Sequence, residues 1–249
     1  MINKTYLLIA VPTVIIAGAV IKSYAQTWSS TSALGYGYES VWESANGMIV
    51  IASSSTWTPA ISTNYGTTWN TNTTTHGFTL TNIFSMLASS ADGTKWVGTF
   101  NSAMDYIYVS TNSGQSWAPT ASPSSSQWEA VASSANGNIL AAAIFNGTIY
   151  YSTNAGSTWQ SSGAPVKRWE ALSMSADGTK IIAAANNDTI YALTNFGGTW
   201  MPTGASSDSW VSLAGSADEL RLVASSGSGT YVSSDAGWIG HLALISAGG

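Results

Sequence analysis

Short apolar runs separated by turn residues recur along this chain. One stretch shows the pattern well: residues 128–134 and 139–144 are mostly apolar, with Asn136-Gly137 between them. A second pair, Asn146-Gly147, comes before residues 148–152. Asn-Gly pairs favour the positive φ angles of tight hairpins, so this spacing predicts three consecutive antiparallel strands.

An eight-residue motif follows the third predicted strand and leads into a short fourth one. The copy at 152–159 reads STNAGSTW, and related copies begin at residues 62, 110, 193 and, in shortened form, 233. Successive motif glycines are 48, 42, 41 and 40 residues apart, and a period of this size indicates a repeat architecture. The turn positions are Asn64, Gly66, Trp69, Asn112, Gly114, Trp117, Asn154, Gly156, Trp159, Asn195, Gly197, Trp200, Asp235 and Gly237.

An aromatic residue opens each repeat, and the five openings are Tyr38, Phe84, Trp128, Trp169 and Trp210. These positions place the repeats near residues 36–76, 77–125, 126–166, 167–207 and 208–249. No linker or shift in composition divides residues 26–249. We therefore expect one all-β domain of four-stranded antiparallel blades, a β-propeller.

Both ends of the chain bear on the number of blades. Thr27-Trp28 lies ten residues before Tyr38, the spacing that separates Trp159 from Trp169. It resembles a fourth strand without a repeat of its own, and we expect it to complete the last blade and close the ring. Residues 240–249 resemble the start of another repeat, so about five blades are expected and six remain open.

The first 25 residues have the pattern of a secretory signal peptide. Lys4 precedes an apolar run over residues 6–20, and Ser23-Tyr24-Ala25 supplies small residues at a cleavage site. An uncleaved hydrophobic anchor is the alternative. Either interpretation predicts a secreted or cell-surface protein.

Composition excludes several kinds of site. The chain has no Cys, so disulfides and thiolate metal ligands are ruled out. Net charge is −5, and only 8% of residues are charged. A nucleic-acid-binding surface needs clustered cations, so no nucleic-acid partner is expected. His76 and His241 are the two histidines, and no recognised metal or cofactor motif accompanies them; we expect neither.

The eight-residue motif resembles the Asp-box, or bacterial neuraminidase repeat, Ser/Thr-x-Asp-x-Gly-x-Thr-Trp/Phe. The whole unit is similar to the WD40/YVTN/BNR-like repeats of the sialidase-like superfamily, over about residues 27–238. The resemblance implies a β-propeller with the boxes on outer hairpins, away from any ligand. This chain departs from the pattern because Asn replaces Asp in four boxes. Asn keeps the carbonyl acceptor, so we expect the turn to persist.

Sialidase activity is not expected, although sialidases share the box. The resemblance implies a site with three arginines that grip a carboxylate, and this chain has two arginines, Arg168 and Arg221. Lysine does not replace the bidentate geometry of arginine. Other glycosidases use two carboxylates, for which Glu39, Glu43, Glu129 and Glu170 are available. Since Glu129 and Glu170 occupy one repeat slot, a structural role is favoured.

The loops opposite the regular turns are where we expect binding. The turns after the first and third strands repeat strictly, whereas those after the second strand and between repeats vary in length. Variable loops on a rigid scaffold often carry function. The residues best suited to recognition there are Trp57, Tyr106, Lys167 and Arg168. The favoured function is non-catalytic binding of a glycan or an extracellular protein; a self-assembling surface protein and a non-sialidase hydrolase or lyase are the alternatives.

Overall fold

The structure is a computed structural model that describes residues 40–53, 59–71, 84–100, 106–123, 127–195, 198–235 and 243–244. Its strands are β1 (Ser40–Glu43), β2 (Val50–Ser53), β3 (Ala60–Ser62), β4 (Asn70–Thr71), β5 (Phe84–Ser89), β6 (Trp96–Phe100), β7 (Tyr108–Ser110), β8 (Ala118–Pro119), β9 (Trp128–Ser133), β10 (Leu140–Ile144), β11 (Ile149–Ser152), β12 (Gln160–Ser161), β13 (Trp169–Met174), β14 (Ile181–Asp188), β15 (Ile190–Leu193), β16 (Met201–Pro202), β17 (Asp208–Gly215), β18 (Leu222–Ser226), β19 (Gly229–Ser233) and β20 (Ala243–Leu244). These residues form no helix, so none of them provides a helical membrane span.

The twenty strands form five consecutive four-stranded antiparallel units, which we call blades 1 to 5. The predicted all-β architecture is confirmed. Blades 4 and 5 are also linked by strand pairing, because the end of β14, the second strand of blade 4, pairs with β17 through Asn186 and Ser209. The first strands of successive blades contact one another in chain order, from β1 to β17. They therefore line the inner side of the arc.

Small apolar residues make the second strands suitable for burial between two sheets. In β10, Ala141, Ala142 and Ala143 are all fully buried, although they alternate between the two faces of the sheet. A strand covered on both faces is expected to be continuously apolar rather than alternating. Hence each of blades 2 to 4 buries one face, its leading face, on the preceding blade and the other, its trailing face, on the following blade.

Four apolar cores join the five blades in pairs. Between blades 3 and 4, for example, Ala141 and Ile149 pack on Trp169, Leu172 and Ile181. Between blades 4 and 5, Ile182 and Ile190 pack on Trp210 and Leu222. The same arrangement joins blades 1 and 2, and blades 2 and 3. Hydrophobic burial between blades is thus the main stabilising contribution to the arc.

The repeated motif forms a hydrogen-bonded turn between the third and fourth strands. In the copy at 152–159, the Asn154 Oδ1 accepts from the Thr158 N–H at 2.9 Å and from the Ser152 hydroxyl at 2.9 Å. The Asn154 amide donates to the Thr158 hydroxyl at 2.9 Å. Ala155 and Gly156 both have positive φ, 54° and 87°. Equivalent bonds form around Asn64 and Asn112. The Asn side chain therefore serves as the turn's acceptor where the Asp-box pattern has Asp.

The motif tryptophans differ in their polar contacts. Trp69 and Trp117 donate to the glycine carbonyl of their own turn, each at 2.9 Å. Trp159 and Trp200 instead donate to Thr120 and Ser162 of the preceding blade, each at 3.0 Å. Gly197, Gly237 and Trp238 lie outside the described residues.

A second repeated turn joins the first and second strands. In blade 4, the Ser175 hydroxyl donates to Asp177 at 2.6 Å, and the Thr179 N–H donates to the same carboxylate oxygen at 2.9 Å. These contacts lower the pKa of Asp177 to about 2. Gly178 then takes a positive φ of 78°, and a Cβ there would lie 2.6 Å from Ile139 Cδ1 of blade 3. The turn therefore needs glycine for its backbone conformation and for the approach of two blades.

Blade 5 breaks this rule, because Glu219 stands at the glycine position. Its φ is 55° and the residue is completely buried. Its Oε1 accepts a 2.6 Å hydrogen bond from Ser173 of blade 4, while its Oε2 has no hydrogen-bond partner. Burial, the largest effect, raises the pKa of Glu219 to about 7. An acid thus occupies an interface that glycine and apolar atoms fill elsewhere.

The last blade is completed differently from our expectation. We predicted Thr27-Trp28 as its fourth strand, but β20, near the C-terminus, lies beside β19, with Ala243 opposite Val232. The backbone edge of β19 is therefore occupied by a segment that follows it in the chain. Thr27-Trp28 and the predicted signal peptide, residues 1–25, lie outside the described residues.

The first prediction concerns the close approach of blades at the glycine turns. A Cβ at Gly93 would lie 2.7 Å from Ser44 Cβ of blade 1, whereas a Cβ at Gly163 would meet nothing within 4 Å; their φ angles are 71° and 74°. Gly163→Ala should cost about 1 kcal/mol of unfolding free energy from backbone strain. Gly93→Ala should cost about 2–4 kcal/mol because overpacking is added. Urea denaturation measures both; equal losses would contradict the steric account.

The second prediction concerns Glu219. Since its pKa is raised to about 7 in the folded state from an ordinary 4.5, the protein should lose stability as pH rises through this window. Glu219→Gln should match the wild type near pH 4.5 and exceed its unfolding free energy at pH 8 by about 2–3 kcal/mol. Denaturation curves of both proteins across this pH range test it. A difference that is independent of pH would exclude ionisation of Glu219 as its cause.

Candidate functional site

The antiparallel order of each blade separates its turns between two ends of the arc. The turn face carries the regular turns after the first and third strands. The loop face carries the turns after the second strands, such as residues 145–148 and 186–189, and the connections between blades, such as residues 162–168. The candidate site lies on the loop face of blades 3 and 4.

Backbone contacts fix the connection that carries Lys167 and Arg168. The Lys167 N–H donates to the Gly147 carbonyl at 3.1 Å, and the Arg168 carbonyl accepts from the Asn186 N–H at 2.8 Å. The same Gly147 carbonyl accepts the Trp169 Nε1–H at 3.0 Å. The two cations therefore project from a segment held at both of its flanking turns.

Lys167 forms an ion pair with Asp188, the last residue of β14. Its Nζ lies 2.6 Å from Asp188 Oδ2 and 5.9 Å from the centre of the Tyr191 ring. The hydrogen bond to Asp188, followed by the charge of that carboxylate, raises the pKa of Lys167. Burial works to raise the pKa of Asp188, but its contacts with Lys167 and the Thr189 N–H outweigh it, and the pKa is lowered. Both groups are thus charged at neutral pH.

Arg168 connects an aromatic ring with a carboxylate. Its guanidinium carbon lies 5.2 Å from the centre of the Phe145 ring, and its Nε lies 2.7 Å from Glu170 Oε1. The Arg168 side chain is 49% exposed and that of Glu170 13%. An arginine anchored in this way keeps part of its guanidinium available to a ligand.

Glu129 and Glu170 interact although they belong to different blades. Each follows the aromatic residue that opens the inner strand of its blade. Burial, the largest effect, and then the negative charge of Glu170 raise the pKa of Glu129, while Arg168 lowers it. Two carboxylates in unequal environments are thus brought near Arg168. Our interpretation of their common slot as structural did not anticipate this interaction.

A further polar group lies on the loop face of blade 5. Asp208 accepts hydrogen bonds from the Ser226 hydroxyl at 2.6 Å and from the Ser228 hydroxyl at 3.2 Å. The bond from Ser226 contributes most to lowering the pKa of Asp208, followed by the Ser209 N–H. Asp208 extends the row of polar groups beyond Asp188.

The structure brings two of the four residues singled out from sequence into one place. Lys167 and Arg168 are neighbours in the site. Tyr106 is exposed before β7 of blade 2, with no described contact to them. Trp57 and both histidines lie outside the described residues. Within the described ranges, no group of three or more His, Asp or Glu residues is placed to hold a metal ion.

Comparison with known proteins supports the fold. No family model matches the chain, and no curated protein matches its sequence. Among solved structures, a GH74 xyloglucanase from Xanthomonas campestris is 15% identical, with a TM-score of 0.59, over 76% of this chain and 35% of that protein. An ancestral GH74 enzyme is 17% identical, with a TM-score of 0.58, over 78% of this chain and 29% of that enzyme. The chain spans about a third of the length of these β-propeller enzymes.

The coupling between the two glutamates gives a testable consequence. Glu170→Gln removes the negative charge that helps to raise the pKa of Glu129, so that pKa should fall. NMR titration of the Glu129 carboxyl carbon measures this directly. Asp177→Asn, which removes an acid from the turn face, is the matched control and should leave Glu129 unaffected. An unchanged Glu129 titration in Glu170→Gln would show that the two carboxylates are not coupled.

Proposed function

We propose that this protein is a secreted or cell-surface β-propeller that binds a neutral glycan on its loop face. The observation that carries the proposal is the anchored, half-exposed Arg168, which lies over the Phe145 ring and is bordered by Glu170. Sugar hydroxyls both donate and accept hydrogen bonds, and paired cations and carboxylates offer both partners at fixed positions.

The charge of the site favours a neutral ligand. Lys167 and Arg168 are outnumbered by the acids around them, which are Glu129, Glu170, Asp188 and Asp208. A polyanion would meet net repulsion there, whereas an uncharged polysaccharide would not. The similar solved structures include an enzyme named for xyloglucan, a further reason to begin with neutral polysaccharides. The Asp-box resemblance is consistent with this assignment because it places the repeated turns at the opposite end of each blade.

Binding is tested with xyloglucan, as the neutral probe, and polygalacturonate, as the acidic one. Affinity electrophoresis and calorimetry should show binding to xyloglucan alone. Arg168→Ala should weaken it about 10- to 100-fold, since a hydrogen bond to a charged group contributes about 1.5–3 kcal/mol. Lys95→Ala, which removes a cation from the turn face, should bind as the wild type does. Absence of binding to xyloglucan and other neutral glycans, or equal weakening by both variants, would refute the assignment.

The carboxylate pair favours a second candidate, a glycoside hydrolase. Glycosidases use one carboxylic acid to protonate the leaving group and one carboxylate as base or nucleophile. The raised pKa of Glu129, in part from the charge of the second carboxylate, Glu170, suits this division of roles.

Hydrolysis is distinguished from binding by reducing-end release from the same polysaccharides. If the pair is catalytic, Glu129→Gln and Glu170→Gln should each reduce the rate by about 10²–10⁴-fold. Asp177→Asn, which changes an acid of the turn face, is the matched control. Glycan binding with no release of reducing ends would leave the binding function and exclude the hydrolase.

A further inference from the structure

A chain of backbone hydrogen bonds connects the turn faces of successive blades. The Ala91 N–H of blade 2 donates to the Ala135 carbonyl of blade 3 at 2.8 Å. The Ala135 N–H donates to Ala176 of blade 4 at 2.8 Å, and the Ala176 N–H donates to Ala217 of blade 5 at 2.7 Å. All four alanines occupy the same position in the turn between first and second strands. Blades 2, 3 and 4 therefore each offer one N–H to the blade that follows.

Two lysines reinforce this contact in the same direction. Lys95 of blade 2 donates to the Asn136 carbonyl at 3.0 Å and to Asn138 Oδ1 at 2.7 Å, both in blade 3. Lys180 of blade 4 donates to the Asp218 carbonyl of blade 5 at 2.7 Å. Each lysine follows its turn glycine position by two residues. A cation at this position thus binds the turn of the next blade.

Blade 5 carries the same groups at its trailing edge, where they have no described partner. The Ala217 N–H makes no hydrogen bond within the described residues, and the exposed Arg221 side chain, at the position of Lys95 and Lys180, has no partner among them. Val223 occupies the register position of Ile182; Val223 is 47% exposed, whereas Ile182 is buried against blade 5. This edge therefore carries the groups that join blades 2 to 5, and none of them is engaged by another described segment.

Blade 1 offers the complementary groups at the other end of the arc. Ala45 and Asn46 of its turn are exposed, and the Ala45 carbonyl accepts no hydrogen bond among the described residues. Val41, in the register position of Val131 and Leu172 that face the preceding blade, is 40% exposed. Glu43, exposed beside this turn, supplies a negative charge for a cation.

We propose that the trailing edge of blade 5 in one molecule docks on the turn of blade 1 in a second copy of this chain. Ala217 N–H would donate to the Ala45 carbonyl, and Arg221 would reach the Asn46 turn near Glu43. This contact would extend the chain of hydrogen bonds between blades from one molecule to the next. Because it joins blade 5 of one copy to blade 1 of another, it is head-to-tail, and further copies can be added at either end. A second copy is preferred to the molecule's own first blade because both ends are exposed in a single chain.

Paired cysteines test the contact, since the natural chain has none. Ala45→Cys/Ala217→Cys should form a ladder of disulfide-linked multimers after mild oxidation, visible on a non-reducing gel and lost with reductant. Ala176→Cys/Ala217→Cys, across the known contact between blades 4 and 5, is the control and should close within single chains. Closure within monomers in the first variant would overturn the proposal in favour of a ring. Absence of any cross-link, when the control closes, would also overturn it.

A charge reversal tests the same contact without cysteines. Sedimentation of the wild type should show association that depends on concentration, Arg221→Glu should weaken it at least tenfold, and adding Glu43→Arg should restore it. Both residues are exposed, so the fold should be retained, as circular dichroism would check. A wild type that stays monomeric at all concentrations, or a double variant no better than Arg221→Glu alone, would contradict the proposal.

Discussion

The fold depends on how closely one blade can approach the next. At the turns of the repeated motif, glycines with positive φ bring the backbone against side chains of the preceding blade; a Cβ at Gly156 would lie 3.0 Å from Thr120 Cγ2. The second strands use alanine for the same reason, since larger side chains would separate the sheets. Small residues at these positions therefore contribute to the fold together with the hydrogen-bonding groups of the turns.

Residues of the turn face are restricted by their structural contacts, whereas residues of the loop face are less restricted and vary between blades. On the turn face, Ser175, Asp177 and Gly178 each have a structural contact that another residue type would disturb. On the loop face, charged side chains such as Lys167 and Arg168 pair with acids of blade 4 and retain exposed surface. Residues that depart from the repeat therefore mark positions where one blade differs from the others in its contacts or charge. Glu219 places an ionisable group in a structural interface, and Val211 replaces in blade 5 the acid found in blades 3 and 4.

Sequence alone predicted the fold well because the repeat is local. Asn-Gly turns, the eight-residue motif and the aromatic openings all lie within one unit, so they identify the blades without knowledge of distant contacts. The site was predicted less fully. Lys167 and Arg168 were singled out, but Asp188, Phe145 and the influence of Glu170 on Glu129 depend on contacts between segments 21 to 41 residues apart. The pairing of β20 with β19 was not predicted, because β20 lies farther along the chain from the repeated motif than the fourth strands of the other blades do.

Amide hydrogen exchange tests the central claim, that the blades are held together through their turns by close packing and a relay of backbone hydrogen bonds. At a protein concentration where the chain is monomeric, Ala91, Ala135 and Ala176 should exchange at least about 100-fold more slowly than Ala217, which occupies the same turn position but has no acceptor among the described residues. If Ala135 and Ala176 exchanged as fast as Ala217, the relay would not be a stable feature of the fold. The account of both the arc and its unused edge would then fail.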